Sequence, residues 1–230
     1  IRTSKTLISA GTERMLINFS QANLINKARQ QPEKVQQVFS KVMTDGILTT
    51  FDAVSSKINE PIPLGYSNVG VIEQVGKNVV GLKIGDRVVS SGAHADIVSI
   101  PENFVAKIPD NVNDEDAAYT IVSSIAMQGI RLAKPEIGEV FVVIGVGLIG
   151  LIAVQILIAG GCKVLAVDHD KSKLEIAESF GAETFNLSKH GDISAVVQSL
   201  TDGYGADGVL VCAATEKSDP MNIAAKVLRI

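Results

Sequence analysis

Apolar positions change their period along this chain, and each change marks a different kind of element. Ile1 to Ser9 reads as a strand, and Ser9-Ala10-Gly11-Thr12-Glu13 as a turn. Val35, Val38, Phe39, Val42 and Met43 then fall at i, i+3, i+4, i+7 and i+8, the spacing of an amphipathic helix. Pro32 sits near its first turn and Asp45-Gly46 ends it. Phe51, Val54 and Ile58 predict a shorter helix before Pro61 and Pro63. From Pro63 to Pro109 the helical period gives way to short runs broken by turns: Asn68–Val75, Gly85–Val89, Ala95–Ile100 and Phe104–Ile108. Short β segments at such close spacing predict a small barrel.

Asp114-Glu115-Asp116 opens a helical stretch that runs through Ala126 to Leu132. The rest alternates. Strands are expected at Val140–Ile144, Lys163–Val167, Glu183–Asn186 and Gly208–Cys212, and helices at Leu151–Ile158, Lys171–Phe180, Asp192–Leu200 and Pro220–Leu228. That β-α repeat requires a parallel, doubly wound sheet with right-handed crossovers. Two domains follow: residues 1–118, with a helical insertion over about 14–60, and residues 119–230.

The chemistry concentrates at Val140–Gly150, where an apolar strand runs into Gly145-Val146-Gly147-Leu148-Ile149-Gly150. In such a G-x-G-x-x-G turn the first glycine permits the tight bend and the second lets the backbone approach a pyrophosphate. The third lets the helix pack closely on the strand. Free N–H groups and the helix dipole then favour a phosphate pair. Asp168 lies about 20 residues on, where a carboxylate accepts from a ribose 2′-hydroxyl. It would repel a 2′-phosphate, and no Arg stands at 169 or 170, so NAD is expected over NADP. Lys171 and Lys173 offer a 2′-phosphate partial compensation. His169 is expected on the adenine side, and Cys212-Ala213-Ala214 under the cofactor's ribose.

Two rival readings of the same stretch fail. A membrane span needs roughly 20 apolar residues with suitable flanks, whereas Val140 to Ile158 carries three early glycines and Gln155. A phosphate loop of the Walker type needs Gly-Lys-Ser/Thr, which is missing.

Bulk properties narrow the function further. The 230 residues are 46% hydrophobic and 20% charged with a net charge of −4, so no broad nucleic-acid surface is expected and no basic run interleaves with aromatics. Cys162 and Cys212 each lie in an apolar segment, which reads as two reduced, buried thiols in a cytoplasmic protein. Ile1 stands inside a strand and Ile230 just after a helix, so the chain reads as an internal fragment.

The order of parts resembles the medium-chain dehydrogenase/reductase superfamily, relatives of zinc alcohol dehydrogenases. Gly65-Tyr66-Ser67-Asn68-Val69-Gly70-Val71-Ile72-Glu73-Gln74-Val75-Gly76, Gly85-Asp86-Arg87-Val88 and the glycine turn resemble that family's three elements in order. The resemblance implies a GroES-like β-barrel domain followed by a Rossmann sheet, with substrate in the cleft between them. More narrowly, Ser9–Arg14, Lys27–Pro32 and Pro63–Tyr66 resemble bi-domain oxidoreductases of bacterial surface-polysaccharide loci. That implies a sugar or nucleotide-sugar substrate, a fused Gfo/Idh/MocA-type domain beyond Ile230, and, from relatives, a homodimer.

Departures from the family pattern shape the expected mechanism. Its zinc members place Cys, His and a further Cys or acid around a catalytic metal. Aligned on the flanking motifs, Ala10, Tyr66 and Thr120 stand at those positions and Ser67 where the Glu would be. None suits zinc, which takes thiolate, imidazole or carboxylate, and His94, His169 and His190 have no ligand spacing. The resemblance then implies no metal and a proton donor instead. Tyr66 is the candidate general acid, while Thr12, Glu13, Ser67, Thr120 and Ser124 are expected to form a relay or hold the nicotinamide ribose. Glu13 has an alternative role as local support for its turn. The leading expectation is a zinc-independent NAD(H)-dependent oxidoreductase; an enoyl or quinone reductase and a non-catalytic dinucleotide sensor stay open.

Overall fold

The computed structural model describes residues 1–21, 63–189, 191–215 and 217–229. The helices expected at 32–46 and 51–58 lie outside these, as does His190. In the first half, β1 (Arg2–Thr6), β2 (Asn68–Val71), β3 (Arg87–Ser90) and β4 (Val105–Lys107) form an antiparallel sheet in that order. Among the described residues it is an open four-stranded sheet rather than a closed barrel. Val69 and Val89 pack with Ile108, Ala117 and Ala118, so the short helix α2 (Asp114–Ala117) covers one face.

Three local expectations are corrected. Residues 9–13 are not a turn: helix α1 (Ala10–Gln21) begins there. Its start is held by Glu13, whose Oε1 accepts the Ser9 N–H at 2.8 Å, so the small polar residues form a helix start. Ala95–Ile100 forms no strand; Ile97 makes a single bridge to Arg2. Thr3 N–H to Asp96 O and Val98 N–H to Ile1 O are the backbone bonds beside it. The helical stretch from Asp114 to Leu132 is two helices, α2 and α3 (Thr120–Ala133). At the bend between them, the Ala118 carbonyl accepts the Ser67 hydroxyl.

The second half follows the expected alternation. β5 (Val140–Ile144), β6 (Lys163–Asp168), β7 (Glu183–Asn186) and β8 (Gly208–Val211) form a parallel sheet in the order β7-β6-β5-β8. Helices α4 (Leu148–Ala159), α5 (Lys171–Ser179), α6 (Ile193–Leu200) and α7 (Asp219–Val227) complete it. β5 is buried along its whole length because both faces are covered. Phe141 and Val143 join a core with Ala153, Val154 and Leu157 of α4. Val142 and Ile144 join the opposite core with Val197 of α6 and Val227 of α7.

Each such fully buried side chain contributes roughly 1.5–3 kcal/mol over its exposed state. Helix α4 is apolar apart from the exposed Gln155 for a related reason: β5 and β6 lie on one side and α3 packs against it elsewhere. No helix of the described residues is long and apolar enough to cross a membrane.

The strand order places the site. The chain leaves β5 towards β6 and β7 on one side, then returns to β8 on the other. Where the direction reverses, the ends of β5 and β8 lie side by side, the position at which open parallel sheets take ligands.

Candidate active site

Two sets of candidate residues occupy different parts of the chain. The first lies at the reversal between β5 and β8. Gly145 follows β5 with φ +89°, a conformation only glycine adopts freely. A Cβ there would lie 2.6 Å from the Ala213 backbone nitrogen, so the glycine turn and the end of β8 are in direct contact. A Cβ on Gly150 would lie 2.1 Å from the Gly145 carbonyl oxygen, which lets α4 sit on the turn. Gly147 is different: it caps α4, and a Cβ there would meet nothing within 4 Å. Its missing side chain leaves open space at a helix N-terminus with no side-chain cap, the geometry that receives a phosphate.

Asp168, the last residue of β6, reaches across to this turn. Its Oδ2 accepts the Val146 N–H at 2.9 Å, and its Oδ1 accepts the N–H groups of His169 at 2.7 Å and Asp170 at 3.0 Å. Three backbone donors therefore fix the carboxylate beside the glycine turn. Val146 is fully buried, while Leu148 and Ile149 are half-buried in the first turn of α4. Cys212 donates its N–H to Ile144 O at 2.8 Å, which continues the β5–β8 pairing up to Ala213 and Ala214. Its thiol is half-buried, and burial pushes its pKa up. That keeps it a protonated filler rather than a nucleophile.

The flanking charges turn elsewhere. Lys171 pairs with Glu175 at 3.0 Å, and Lys173 approaches Asp170 at 4.0 Å. His169 is exposed with Nδ1 3.4 Å from the Ser188 hydroxyl.

The second set holds the proton-handling candidates, whose hydrogen bonds do not join them into one cluster. Glu13 is buried, at 7% exposure. Its Oε2 faces His94 Nε2 at 3.1 Å. The His94 ring lies against Gly65, where φ is +88° and a Cβ would fall 2.7 Å from three ring atoms. His94 N–H also bonds to Leu64 O at 2.8 Å. This fixes the chain immediately before Tyr66, which is half-buried. Thr12 Oγ1 stands 3.4 Å from the Ser9 hydroxyl. Ser67 is buried, and its hydroxyl donates to Ala118 O, two residues before Thr120. Thr120 is exposed at the start of α3, and the Ser124 hydroxyl donates to Ile121 O at 2.7 Å within that helix.

His94 is the residue that sequence reasoning missed. Its signal is faint: an imidazole in Gly92-Ala93-His94-Ala95-Asp96, among small residues. The partner that gives it meaning, Glu13, is 81 positions away.

Comparison with known proteins agrees with this architecture. Residues 40–110 match the family model described as alcohol dehydrogenase GroES-like domain, and residues 149–229 match that described as zinc-binding dehydrogenase. The chain is similar to a putative D-xylulose reductase of Agrobacterium fabrum, 30% identical over 188 residues, covering 67% of this chain and 53% of that protein. Among solved structures it is similar to an alcohol dehydrogenase from Thermus sp. ATN1. The TM-score is 0.67 at 27% identity, covering 72% of this chain and 58% of that one. A quinone oxidoreductase of Pseudomonas syringae gives 0.64 at 27% identity, covering 74% and 55%. The chain thus spans about half the length of the curated relatives it matches. With both domain models matched in order and the two sheets built as described, the chain belongs to the medium-chain dehydrogenase/reductase family of zinc-type alcohol dehydrogenases.

Proposed function

We propose that the protein is an NAD(H)-dependent oxidoreductase that interconverts a hydroxyl and a carbonyl group on a sugar or polyol without zinc. The observation that carries this reading is the meeting of Gly145, Asp168 and Ala213 at one strand reversal. The backbone of Gly145–Gly150 would hold the pyrophosphate, and Asp168 the adenosine ribose, with His169 on the adenine side. Ala213 and Ala214 leave room beneath the other ribose. When bound, the nicotinamide supplies the hydride acceptor or donor. Asp168 favours NAD by charge, since three backbone N–H groups fix its carboxylate where a 2′-phosphate would have to lie.

The chain's own residues handle the proton. Tyr66 exchanges it with the substrate oxygen, as the phenol at the head of β2. Ser67 and Ser124 already donate their hydroxyl hydrogens to carbonyls, so each keeps only acceptor capacity for a substrate or ribose hydroxyl. Thr12 and Thr120 keep hydroxyls at the ends of α1 and α3.

Zinc does not fit the donors at the family's metal positions. Ala10 offers none, Thr120 a hydroxyl and Tyr66 a phenol, while Glu13 and His94 face each other. The proton chemistry therefore rests on Tyr66. The sugar or polyol class is supported by the resemblance to polysaccharide-locus oxidoreductases and by the name of the D-xylulose reductase relative.

The test is NADH and NADPH titration followed by a turnover panel of xylitol, D-xylulose, nucleotide sugars, alkenals and quinones, with and without chelator. Chelator-insensitive turnover of a sugar or polyol is expected. Turnover of alkenals or quinones alone would sink the sugar reading, and quinones belong in the panel because of the structural likeness to a quinone oxidoreductase. Binding without any turnover would favour a sensor.

A further inference from the structure

Leu64-Gly65-Tyr66 leads into β2, and the backbone on either side of Gly65 is bonded in place. Leu64 O accepts the His94 N–H at 2.8 Å, and Ser67 O accepts the Leu7 N–H at 3.1 Å. The Ser67 hydroxyl donates to Ala118 O. Between these bonds stands Gly65, with φ +88°. A glycine passes readily to other conformations, and each would turn Tyr66 a different way. The His94 ring closes that freedom. A Cβ on Gly65 would fall 2.7 Å from its Cγ, Nδ1 and Cε1, so the imidazole occupies the side where a side chain would project. The ring is fixed in turn by its far edge. Nε2 donates to the Glu13 Oε2 at 3.1 Å, and Glu13 Oε1 accepts the Ser9 N–H at 2.8 Å. Among the described residues, His94 Nδ1 is a buried side-chain polar atom without a hydrogen-bond partner. Such an atom calls for a reason, and the contact with Gly65 supplies it: the ring stands there for its shape, held by its other nitrogen.

We propose that His94 is a positioning residue for Tyr66: its ring sets the Gly65 conformation, and with it the direction in which the phenol leaves the chain. Glu13 is the anchor that keeps the ring in place. This rests on the oxidoreductase reading only for the task of Tyr66. In this role His94 need touch neither substrate nor cofactor and takes no part in the proton transfer. Its contribution is geometric. A reacting group misplaced by about 1 Å loses up to about 100-fold in rate, and the Gly65 turn is where such an error would enter. The pair of Glu13 and His94, 81 positions apart, also ties the first turn of α1 to the segment that carries Tyr66.

The experiment compares His94→Gln and His94→Ala with the parent protein by NMR of ring-labelled tyrosine and by xylitol oxidation with NAD. The Gln amide can still donate to Glu13 but no longer walls Gly65 with a ring, while Ala gives up both contacts. The chain has 3 tyrosines, and the Tyr66 signal is the one lost in Tyr66→Phe. One narrow Tyr66 signal is expected in the parent and a broadened or doubled one in both variants, with that of the exposed Tyr204 unaltered. In turnover, His94→Gln is expected to lower kcat by roughly 10- to 100-fold, with NADH affinity within about twofold of the parent. In a Tyr66→Phe background the same substitution should change the residual kcat by less than about twofold, because a residue that acts through the phenol then has nothing to act on. An equal loss of kcat in both backgrounds shows a merely structural role and overturns the proposal, as does a Tyr66 signal equally narrow in parent and variants. If no panel substrate is turned over, the oxidoreductase reading fails by itself, and the tyrosine spectra still decide whether His94 holds Tyr66.

Discussion

Asp168 Oδ2 accepts the backbone N–H of Val146 at 2.9 Å, so the carboxylate ending β6 is bonded directly to the glycine turn that leaves β5. One bond joins the two features that the sequence separates by 22 positions. It holds a negative charge beside that turn, and the two further N–H groups on Oδ1 prevent the side chain from turning out of the way. On the proposed reading, a dinucleotide at this site would meet a preset ribose acceptor rather than one it must order, which lowers the cost of binding.

The three glycines of the turn should separate stability from binding. Gly145→Ala forces a strained φ and a clash with Ala213, and Gly150→Ala meets a carbonyl oxygen at 2.1 Å. Each is expected to destabilise the protein by about 1–3 kcal/mol, a fall of roughly 2–4 °C in melting temperature per kcal/mol for a domain of about this size. Gly147→Ala, with open space around the new methyl group, should melt like the parent protein yet bind NADH at least about tenfold more weakly, a loss of about 1.4 kcal/mol. Equal melting temperatures for all three variants would contradict the packing roles assigned here.

Acid stability should depend on the Arg87–Asp114 pair. Asp114 Oδ2 accepts the Ser4 hydroxyl at 2.7 Å, and Arg87 Nη2 lies 2.6 Å from Oδ1. These hold the Asp114 carboxyl below its ordinary pKa, Ser4 first and Arg87 second. The folded state thus prefers the ionised form. The stabilisation is complete above the unfolded value of about 3.9 and is lost as pH falls through the lower folded value. Asp114→Asn is expected to cost about 1 kcal/mol at neutral pH and to narrow the gap to the parent protein as pH drops towards 3 in denaturant titrations. A gap independent of pH would contradict it.

Neither cysteine should be needed for chemistry. Burial pushes the Cys212 thiol up, and burial with the nearby charges of Glu139 and Asp207 does so for Cys162. Cys212→Ala is expected to keep NADH affinity and turnover, and native protein at neutral pH should label slowly with an alkylating reagent. Rapid labelling that abolishes turnover in the parent but not in Cys212→Ala would make that thiol part of the site.

The parallel sheet was legible because its signals are local: β5 needs an unbroken apolar run to be buried on both faces, and Asp170 and Asp192 cap the helices that follow β6 and β7. The glycine turn and Asp168 were legible for the same reason, as spacing alone carries them. The first half was less so. Ser9 to Glu13 is small and polar like a turn, and only the bond from Glu13 back to Ser9 N–H makes it a helix start. The bend after Ala117 involves a carbonyl taken by Ser67, 51 positions away. His94 needs Glu13 from 81 positions away, so no periodicity could announce it.

The most direct measurement is calorimetric titration of NADH and NADPH into the parent protein and Asp168→Asn. NADH is expected to bind the parent at least about tenfold more tightly than NADPH, or about 1.4 kcal/mol. In Asp168→Asn the preference should disappear, mainly through weaker NADH binding and relieved repulsion of the 2′-phosphate. Equal affinities in the parent protein, or a preference that survives the substitution, would contradict an NAD site built on Asp168 and the Val140–Gly150 turn.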